Sequence, residues 1–279
     1  MEILDGEKLS NKIKSEIKSE VKDLMIKPCI AVIQVGNNEN ASMYIEAKRK
    51  ACSDVGIYFK HIEFDEFVTE KEIINKIIEL NNDEYVDGII IQLPLPLKFN
   101  EKKLVNFITK NKDIDGLTDS NKANLIKKTP NLIPCTPLGI VELLKEYKIQ
   151  IEGKHVVIVG RSDLVGMPLF CLMNNYDATI TLCNSKTVDL ASYTKQADIL
   201  VSATGVKGLI TKDMVKQDAV VIDVGINRVD DKIVGDVDFD SVKTIASYIT
   251  PVPGGVGPMT VAMLLKNVLY ANKKRNTKI

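Results

Sequence analysis

Apolar residues recur along the chain in two rhythms, and their alternation outlines an architecture before any single motif is considered. Over residues 7–24, Leu9, Ile13, Ile17, Val21 and Leu24 fall three or four apart, the stripe of an amphipathic helix whose charged residues form a solvated face. After Lys27-Pro28 the run CIAVIQVG (29–36) is uniformly apolar and short, which predicts a strand buried on both faces. A helix over about 39–55, a strand over 57–64, a helix over 70–81 and a third apolar run, VDGIIIQLPLP (86–96), follow, with strand ends at 35, 64 and 92. The same order returns in the second half. A helix over 136–147 leads to the strand HVVIV (155–159), and a helix from Gly166 has Pro168 in its first turn. Then come ATITLCN (178–184), a helical stretch over 187–196, DILVSATG (198–205) and AVVIDVGI (219–226). Met259–Ala271 reads as a final helix, and the tail from Asn272 as frayed and solvated.

Strands and helices in this order specify an α/β fold with parallel sheets. Residues 116–137 are polar, proline-marked and without clear period, and read as the connection between two domains. The expected division is an N-terminal α/β domain over 1–135 and a Rossmann-like domain over 136–257. The helix over 258–279 is expected to return to the first domain.

Composition narrows the function classes. With 37 Lys+Arg and 37 Asp+Glu the 279-residue chain has no net charge, so no overall field draws it to nucleic acid or to an anionic membrane. No apolar run approaches a membrane span and the N-terminus lacks the apolar core of a signal peptide, so a cytoplasmic location is expected. Five cysteines without C-x-x-C pairing and only two histidines argue against a disulfide framework and against a metal site.

In doubly wound sheets, ligands sit at the carboxyl ends of the strands. Those ends carry Gly160-Arg161-Ser162, Asn184-Ser185-Lys186, Ala203-Thr-Gly205 and Gly225-Ile226-Asn227, all but Ile226 small or polar. The Gly160 to Gly166 spacing is not G-x-G-x-x-G, so alone it fits an ordinary strand-to-helix turn as well as a phosphate-holding one. An NAD site usually has an acid at the end of its second strand, where this chain has Cys183-Asn-Ser-Lys186. With Arg161 and Ser162 in the first turn, the pattern favours NADP over NAD, the alternative being solvated turn residues.

Two residues break the apolar pattern of the first half. On a helical wheel with Tyr44 at zero, Lys48 falls at about 40°, inside an apolar arc formed by Ala41, Ala51, Cys52 and Val55. Either its stem packs and the ammonium reaches solvent, or the amine is desolvated, which favours a lysine that accepts and returns a proton near neutral pH. Tyr44, one turn earlier, is placed to stack on a flat substrate or to pack in the core. Gln92 ends an otherwise apolar strand, and an unpaired amide there would be costly, so it is expected to approach Lys48 and Tyr44. Asp115, in KDIDG, is a common turn residue that follows the strand closely enough to line the same cleft.

The stretches ASMYIEAKRKACSDVGI, GIIIQLPLP, KDIDGL, IPCTPLGI, VVIVGRSDLVGMP, DVGIN and ITPVPGGVGPMTVAML together resemble the methylenetetrahydrofolate dehydrogenase/methenyltetrahydrofolate cyclohydrolase family over almost the whole length. The resemblance implies a homodimeric enzyme of one-carbon metabolism and purine biosynthesis, with a folate cleft between its two domains. It implies NADP-dependent oxidation of 5,10-methylenetetrahydrofolate to the 5,10-methenyl form, then hydrolysis to 10-formyltetrahydrofolate. By position, Lys48 matches the family's catalytic lysine, Gln92 the amide that tunes it, Tyr44 the tyrosine on the folate and Asp115 the pterin-binding acid. Pro251, Pro253, Gly254 and Gly255 match the loop lining the folate cleft, and Gly160, Arg161, Ser162, Ser185 and Ile226 match NADP contacts. Asn184 stands where many members have His, which leaves the strictness of cofactor choice open, and Ala41 where many have Ser. Two other readings remain at this point: an NADP-dependent dehydrogenase for a different small substrate, and a silent nucleotide-sensing module. The Lys48 and Gln92 pairing speaks against the second.

Overall fold

Two separate parallel sheets, one of three strands and one of six, carry the chain. The computed structural model describes residues 1–230 and 232–277. In chain order, β1 (Glu2–Ile3) and α1 (Gly6–Asp23) precede β2 (Cys29–Val35), α2 (Glu39–Val55), β3 (Tyr58–Phe64), α3 (Glu70–Asn82) and β4 (Gly88–Ile91). The short helices α4 (Glu101–Val105) and α5 (Asp119–Ile126) lead to α6 (Cys135–Glu146). Then follow β5 (His155–Val159), α7 (Gly166–Asn175), β6 (Thr179–Cys183), α8 (Leu190–Thr194), β7 (Ile199–Ser202) and β8 (Val220–Asp223). A hairpin of β9 (Asn227–Val229) and β10 (Lys232–Val234), the short α9 (Phe239–Val242), β11 (Tyr248–Ile249) and α10 (Val256–Asn276) complete it.

The two sheets belong to two units. Lys12–Cys135 and the chain from Val261 onward form one, and Met1–Asn11 with Thr136–Thr260 the other. In the first, the parallel strands run β3-β2-β4. All seven residues of the central β2 are buried, whereas the edge strand β3 alternates exposed and partly buried positions, as a strand covered on one face should. Ile73, Ile77 and Leu80 of α3 join Ala31, Ile33, Val35, Ile89 and Ile91 in one apolar cluster. A capping box starts α3: Glu72 N–H donates to Thr69 Oγ1 (3.3 Å), and Thr69 N–H donates to the Glu72 carboxylate (2.8 Å). Beside β4, Ile89 N–H donates to Lys112 O (2.8 Å) and Asp113 forms a parallel bridge with Ile89. The buried Asp113 carboxylate then accepts from Leu117 N, Thr118 N and Asn121 Nδ2 at 2.8–3.0 Å, fixing the turn that carries Asp115.

In the other unit the order is β1-β11-β8-β7-β5-β6, every pair parallel. From β5 the chain moves outward to β6, then crosses back to β7 on the other side of β5. The strand order thus reverses between β5 and β7, the place where open α/β sheets bind ligands.

Four features depart from the sequence reading. Met1–Asn11, expected in the N-terminal domain, groups with Thr136–Thr260, because β1 pairs with β11 through Glu2↔Tyr248 and Ile3↔Ile249. The expected connection over 116–137 contains α5, started by Thr118, whose side chain accepts from Asn121 N. The polar stretch after β8 forms the β9–β10 hairpin. The tail from Asn272 continues α10 to Asn276 rather than fraying, because Asn272 is fully buried and donates to Asp87 Oδ2 (3.1 Å); Lys278 and Ile279 lie outside the described residues. None of the described helices is long and apolar enough to cross a membrane, and no group of three or more His, Cys, Asp or Glu among the described residues could hold a metal ion.

The turn after β5 constrains the six-stranded sheet through both its conformation and its packing. Gly160 has φ +116°, a conformation L side chains rarely adopt, and a Cβ there would collide with the carbonyl of Ala203 after β7. Gly160→Ala is therefore expected to lower unfolding free energy by about 1–3 kcal/mol from backbone strain, with the collision adding to it. Urea unfolding monitored by circular dichroism reads this directly, and an unchanged midpoint would show that the turn is free to relax.

Candidate functional site

Helix α2 places a lysine in its buried stripe. Asn38 caps the start by accepting from Ala41 N (3.2 Å), and Gly56 ends the helix in the left-handed conformation. Ala41, Ile45, Cys52 and Val55 are buried, and Lys48, which shares their stripe, is partly buried. Its Nζ donates to Gln92 Oε1 at 2.9 Å. Gln92 is 7% exposed and sits just past β4, tied by its N–H to Ile33 O of β2 (2.9 Å). Its Nε2 donates to Leu93 O (2.8 Å), which turns the amide oxygen, not the nitrogen, toward the lysine. The order of the three-stranded sheet reverses between β2 and β4, so this pair lies at that sheet's own reversal point.

Tyr44 occupies the rim of the same helix face. It is 52% exposed, so core packing does not explain it; Ile45, at 1%, fills the buried position beside it. The face of an aromatic ring is thus left available one turn before the lysine.

Asp115 is the third polar group near Lys48. Cys135, buried at the start of α6, donates through Sγ to Ile114 O (3.4 Å) and to Asp115 Oδ1 (3.8 Å). Asn267, projecting from α10, donates to Ile114 O and Ile133 O (2.8 and 2.9 Å) and so pins both sides of this segment. Burial pushes the Asp115 carboxyl up, the charge of Lys48 pulls it down, and Asp113 adds to the rise. Burial, and then the negative charge of Asp115, push the Cys135 thiol well up, which keeps it a donor. Sequence reasoning did not single out Cys135 or Asn267. Asn267 carried a signal like that of Gln92, a lone amide in the apolar run VAMLLKNVLYA, but its partners lie far away in sequence. Together Lys48, Gln92 and Asp115 can move a proton and hold a polar ring edge.

In the other unit, the carboxyl edge of the six-stranded sheet collects a second group. Gly166 opens α7 so close to the preceding turn that a Cβ would collide with Gly160 O. Val165 supplies no side-chain cap to that helix, and Ser162 accepts from Val165 N and Met167 N through its hydroxyl and carbonyl. Arg161, Ser162 and Ser185 are exposed at the ends of β5 and β6. Asn184 folds its side chain onto its own loop, accepting from Lys186 N (3.0 Å), and no acid follows β6 through Lys186. Exposed serines and a guanidinium without an acid suit a phosphate-bearing ribose. Ile226, 55% exposed, presents an apolar surface just after β8. Pro251, Pro253, Gly254 and Gly255 follow β11, where Gly254 O accepts from Glu7 N (2.9 Å) and a Cβ on Gly6 would strike Gly255 O.

Two buried aspartates brace that edge. Asp236, fully buried, accepts through Oδ2 from Ser202 Oγ (3.0 Å), Thr204 N (2.7 Å), Thr204 Oγ1 (2.9 Å) and Gly205 N (3.3 Å), and through Oδ1 from Asn227 Nδ2 (3.2 Å). Asp223, at the end of β8, accepts from Gly225 N, Asp236 N and Val237 N at 2.9–3.0 Å. Burial pushes the Asp223 carboxyl up to about 6, against the pull of those three N–H groups. The predicted site residues therefore assemble in two groups. Lys48, Gln92 and Asp115, with Tyr44 on the same helix, lie in one unit; Gly160, Arg161, Ser162, Ser185, Ile226 and the 251–255 loop lie in the other.

Comparison with known proteins matches both parts of the chain to one family. Residues 4–115 match the model of the tetrahydrofolate dehydrogenase/cyclohydrolase catalytic domain, and residues 134–276 that of the NAD(P)-binding domain of the same family. The chain is 52% identical to the bifunctional protein FolD of Hydrogenobaculum sp., over 99% of this chain and 100% of that protein. It is similar to the crystal structure of the bifunctional FolD methylenetetrahydrofolate dehydrogenase/cyclohydrolase of Campylobacter jejuni, with TM-score 0.97, 45% identity and 99% of each chain covered. A Trypanosoma brucei methylenetetrahydrofolate dehydrogenase-cyclohydrolase, solved with NADP cofactor and inhibitor, aligns with TM-score 0.93 and 37% identity, over 98% of this chain and 97% of that one.

Proposed function

Because the chain belongs to the tetrahydrofolate dehydrogenase/cyclohydrolase family, we propose that Lys48 is its proton-transfer residue, oriented by Gln92, with Tyr44 and Asp115 holding the folate. The protein is a bifunctional enzyme that oxidises 5,10-methylenetetrahydrofolate with NADP and hydrolyses the 5,10-methenyl product to 10-formyltetrahydrofolate. The 2.9 Å bond from Lys48 Nζ to Gln92 Oε1 is the observation that supports the residue assignment most.

NADP, when bound, accepts the hydride that leaves the methylene carbon as the adjacent folate nitrogen supplies electrons. That step asks the protein for alignment. The exposed ring of Tyr44 offers a stacking face, and the Asp115 carboxyl, pushed up by burial, can hydrogen-bond the polar edge of the pterin. Pro251, Pro253, Gly254 and Gly255 are further folate contacts in this reading. Hydrolysis asks for proton movement. Water attacking the methenyl carbon must lose a proton, and the ring nitrogen released as the carbon–nitrogen bond opens must gain one. Lys48, as the free amine, takes the first and, as the ammonium so formed, returns the second, while Gln92 orients it through the 2.9 Å bond.

For the cofactor, the turn at Gly160 would let the backbone approach the pyrophosphate, and Arg161, Ser162 and Ser185, exposed at the ends of β5 and β6, would receive the 2′-phosphate. Ile226, exposed just after β8, would offer its apolar surface to the nicotinamide. A homodimer is also proposed, supported by the family and by β3, an edge strand that exposes Tyr58.

Lys48→Met is expected to reduce cyclohydrolase activity to near the spontaneous rate while NADP binding survives, with a smaller loss of dehydrogenase activity. Assay of methenyltetrahydrofolate hydrolysis after subtracting the uncatalysed reaction checks it, and a wild-type enzymatic rate would sink the proton-transfer role. Arg161→Glu should raise KM for NADP by about tenfold or more, one charge reversal against a 2′-phosphate, and change KM for NAD far less. Equal effects on the two cofactors would remove Arg161 from the phosphate site. Sedimentation velocity should show a dimer, and a fully active, concentration-independent monomer would exclude it.

A further inference from the structure

Asp223 and Asp236 are buried carboxyls that the two half-reactions above do not use. Their partners are N–H and O–H groups of the strand-end turns, so their role lies in what they tie together. Asp236 follows β10 and reaches across to Ser202, Thr204 and Gly205 at the end of β7, and to Asn227 at the start of the hairpin. Asp223 ends β8 and reaches the amides of Gly225, Asp236 and Val237. The fit is reciprocal: a Cβ on Gly225 would overlap the Asp236 carboxylate, and one on Gly235 would overlap the carboxylate of Asp223. Neither glycine has a positive φ, so close approach is what requires them.

Ile226 stands between two tethered neighbours. Gly225 is held by Asp223 through its backbone N–H, Asn227 by Asp236 through its side-chain amide, and the exposed Ile226 lies between these two tied residues. The same Asp236 oxygen that accepts from Ser202 also fixes Thr204 and Gly205 beside the reversal between β5 and β7. Resting on the reading of this edge as the NADP site, we infer that Asp223 and Asp236 are positioning residues for hydride transfer. They fix the 225–227 and 203–205 turns relative to each other and thereby hold the nicotinamide end in line, and they serve the hydrolysis not at all.

The test exploits the two activities of one enzyme. In Asp223→Asn the amide NH2 must face at least one backbone N–H, and those donors cannot reverse as a side chain could. Ser202→Ala is the milder variant, since it removes one hydroxyl donor to Asp236 from a fully buried site. Hydrolysis of methenyltetrahydrofolate supplied directly transfers no hydride and reports the integrity of the rest of the protein. Asp223→Asn is expected to lower dehydrogenase kcat by about tenfold or more, because hydride transfer is steeply sensitive to sub-ångström misplacement. KM for NADP should change less than kcat, and hydrolysis should stay within about twofold of wild type. With substrate deuterated at the methylene carbon, the primary isotope effect should rise as the hydride step becomes limiting. Ser202→Ala should show the same pattern at about threefold, on the scale of one neutral hydrogen bond, and it decides the matter if Asp223→Asn does not fold. Equal losses of both activities in Ser202→Ala, or an unaltered hydride step in both variants, would overturn the inference. A wild-type enzyme that fails to oxidise methylenetetrahydrofolate with NADP would instead overturn the cofactor reading beneath it.

Discussion

A lysine held by a neutral amide is the interaction that the strand order of the smaller sheet brings about. Lys48 comes from α2, which follows β2, and Gln92 comes from the end of β4, hydrogen-bonded alongside β2 at Ile33. The pair therefore meets only if β2 is central and the chain passes to both sides of it. A carboxylate in place of Gln92 would hold the lysine as firmly, but by attracting its charge, and would oppose deprotonation. The amide supplies an acceptor without a net charge. Its direction is set by Leu93 O, so the oxygen that faces the lysine is fixed by the strand end itself.

Both sheets use the same topological device for different ends. In the three-stranded sheet the order reverses between β2 and β4, and the reversal brings side chains together. In the six-stranded sheet it reverses between β5 and β7, and what meets there is backbone: the Gly160 turn against Ala203, with Gly166 packed behind it. A proton-transfer group needs a side chain with a settable charge. A phosphate-bearing cofactor needs room and N–H groups, which glycine turns provide.

The parts of this arrangement written in local periodicity were legible in the sequence. Buried parallel strands announced themselves as short apolar runs, and Lys48 and Gln92 as polar residues where apolar ones belonged. Parts that depend on distant partners were not. The two residues of β1 have no period of their own, and only pairing with β11 makes them a strand. The polar hairpin after β8 is organised by carboxylates rather than by apolar alternation, and α5 by the Thr118 cap within a stretch that reads as a linker. Even the helical wheel of α2 resolved only part of the face. It left Tyr44 open between stacking on a substrate and packing in the core, whereas Ile45 is the residue in the core and Tyr44 the one left at the surface.

The interlocked glycines and aspartates at positions 223, 225, 235 and 236 also bear on how such a chain can diverge. Each glycine is small because the opposite aspartate occupies its space; Asp223 is tolerated in the interior because Asp236 N and Val237 N donate to it, and Asp236 because the end of β7 does. A change at one of the four is therefore felt at its partner: a side chain on either glycine displaces an aspartate, and loss of either carboxylate leaves backbone N–H groups without an acceptor. The outward residues of the hairpin, such as the exposed Arg228 and Ile233, carry no such reciprocal constraint, so the four inner positions behave as one structural unit and the outer ones singly.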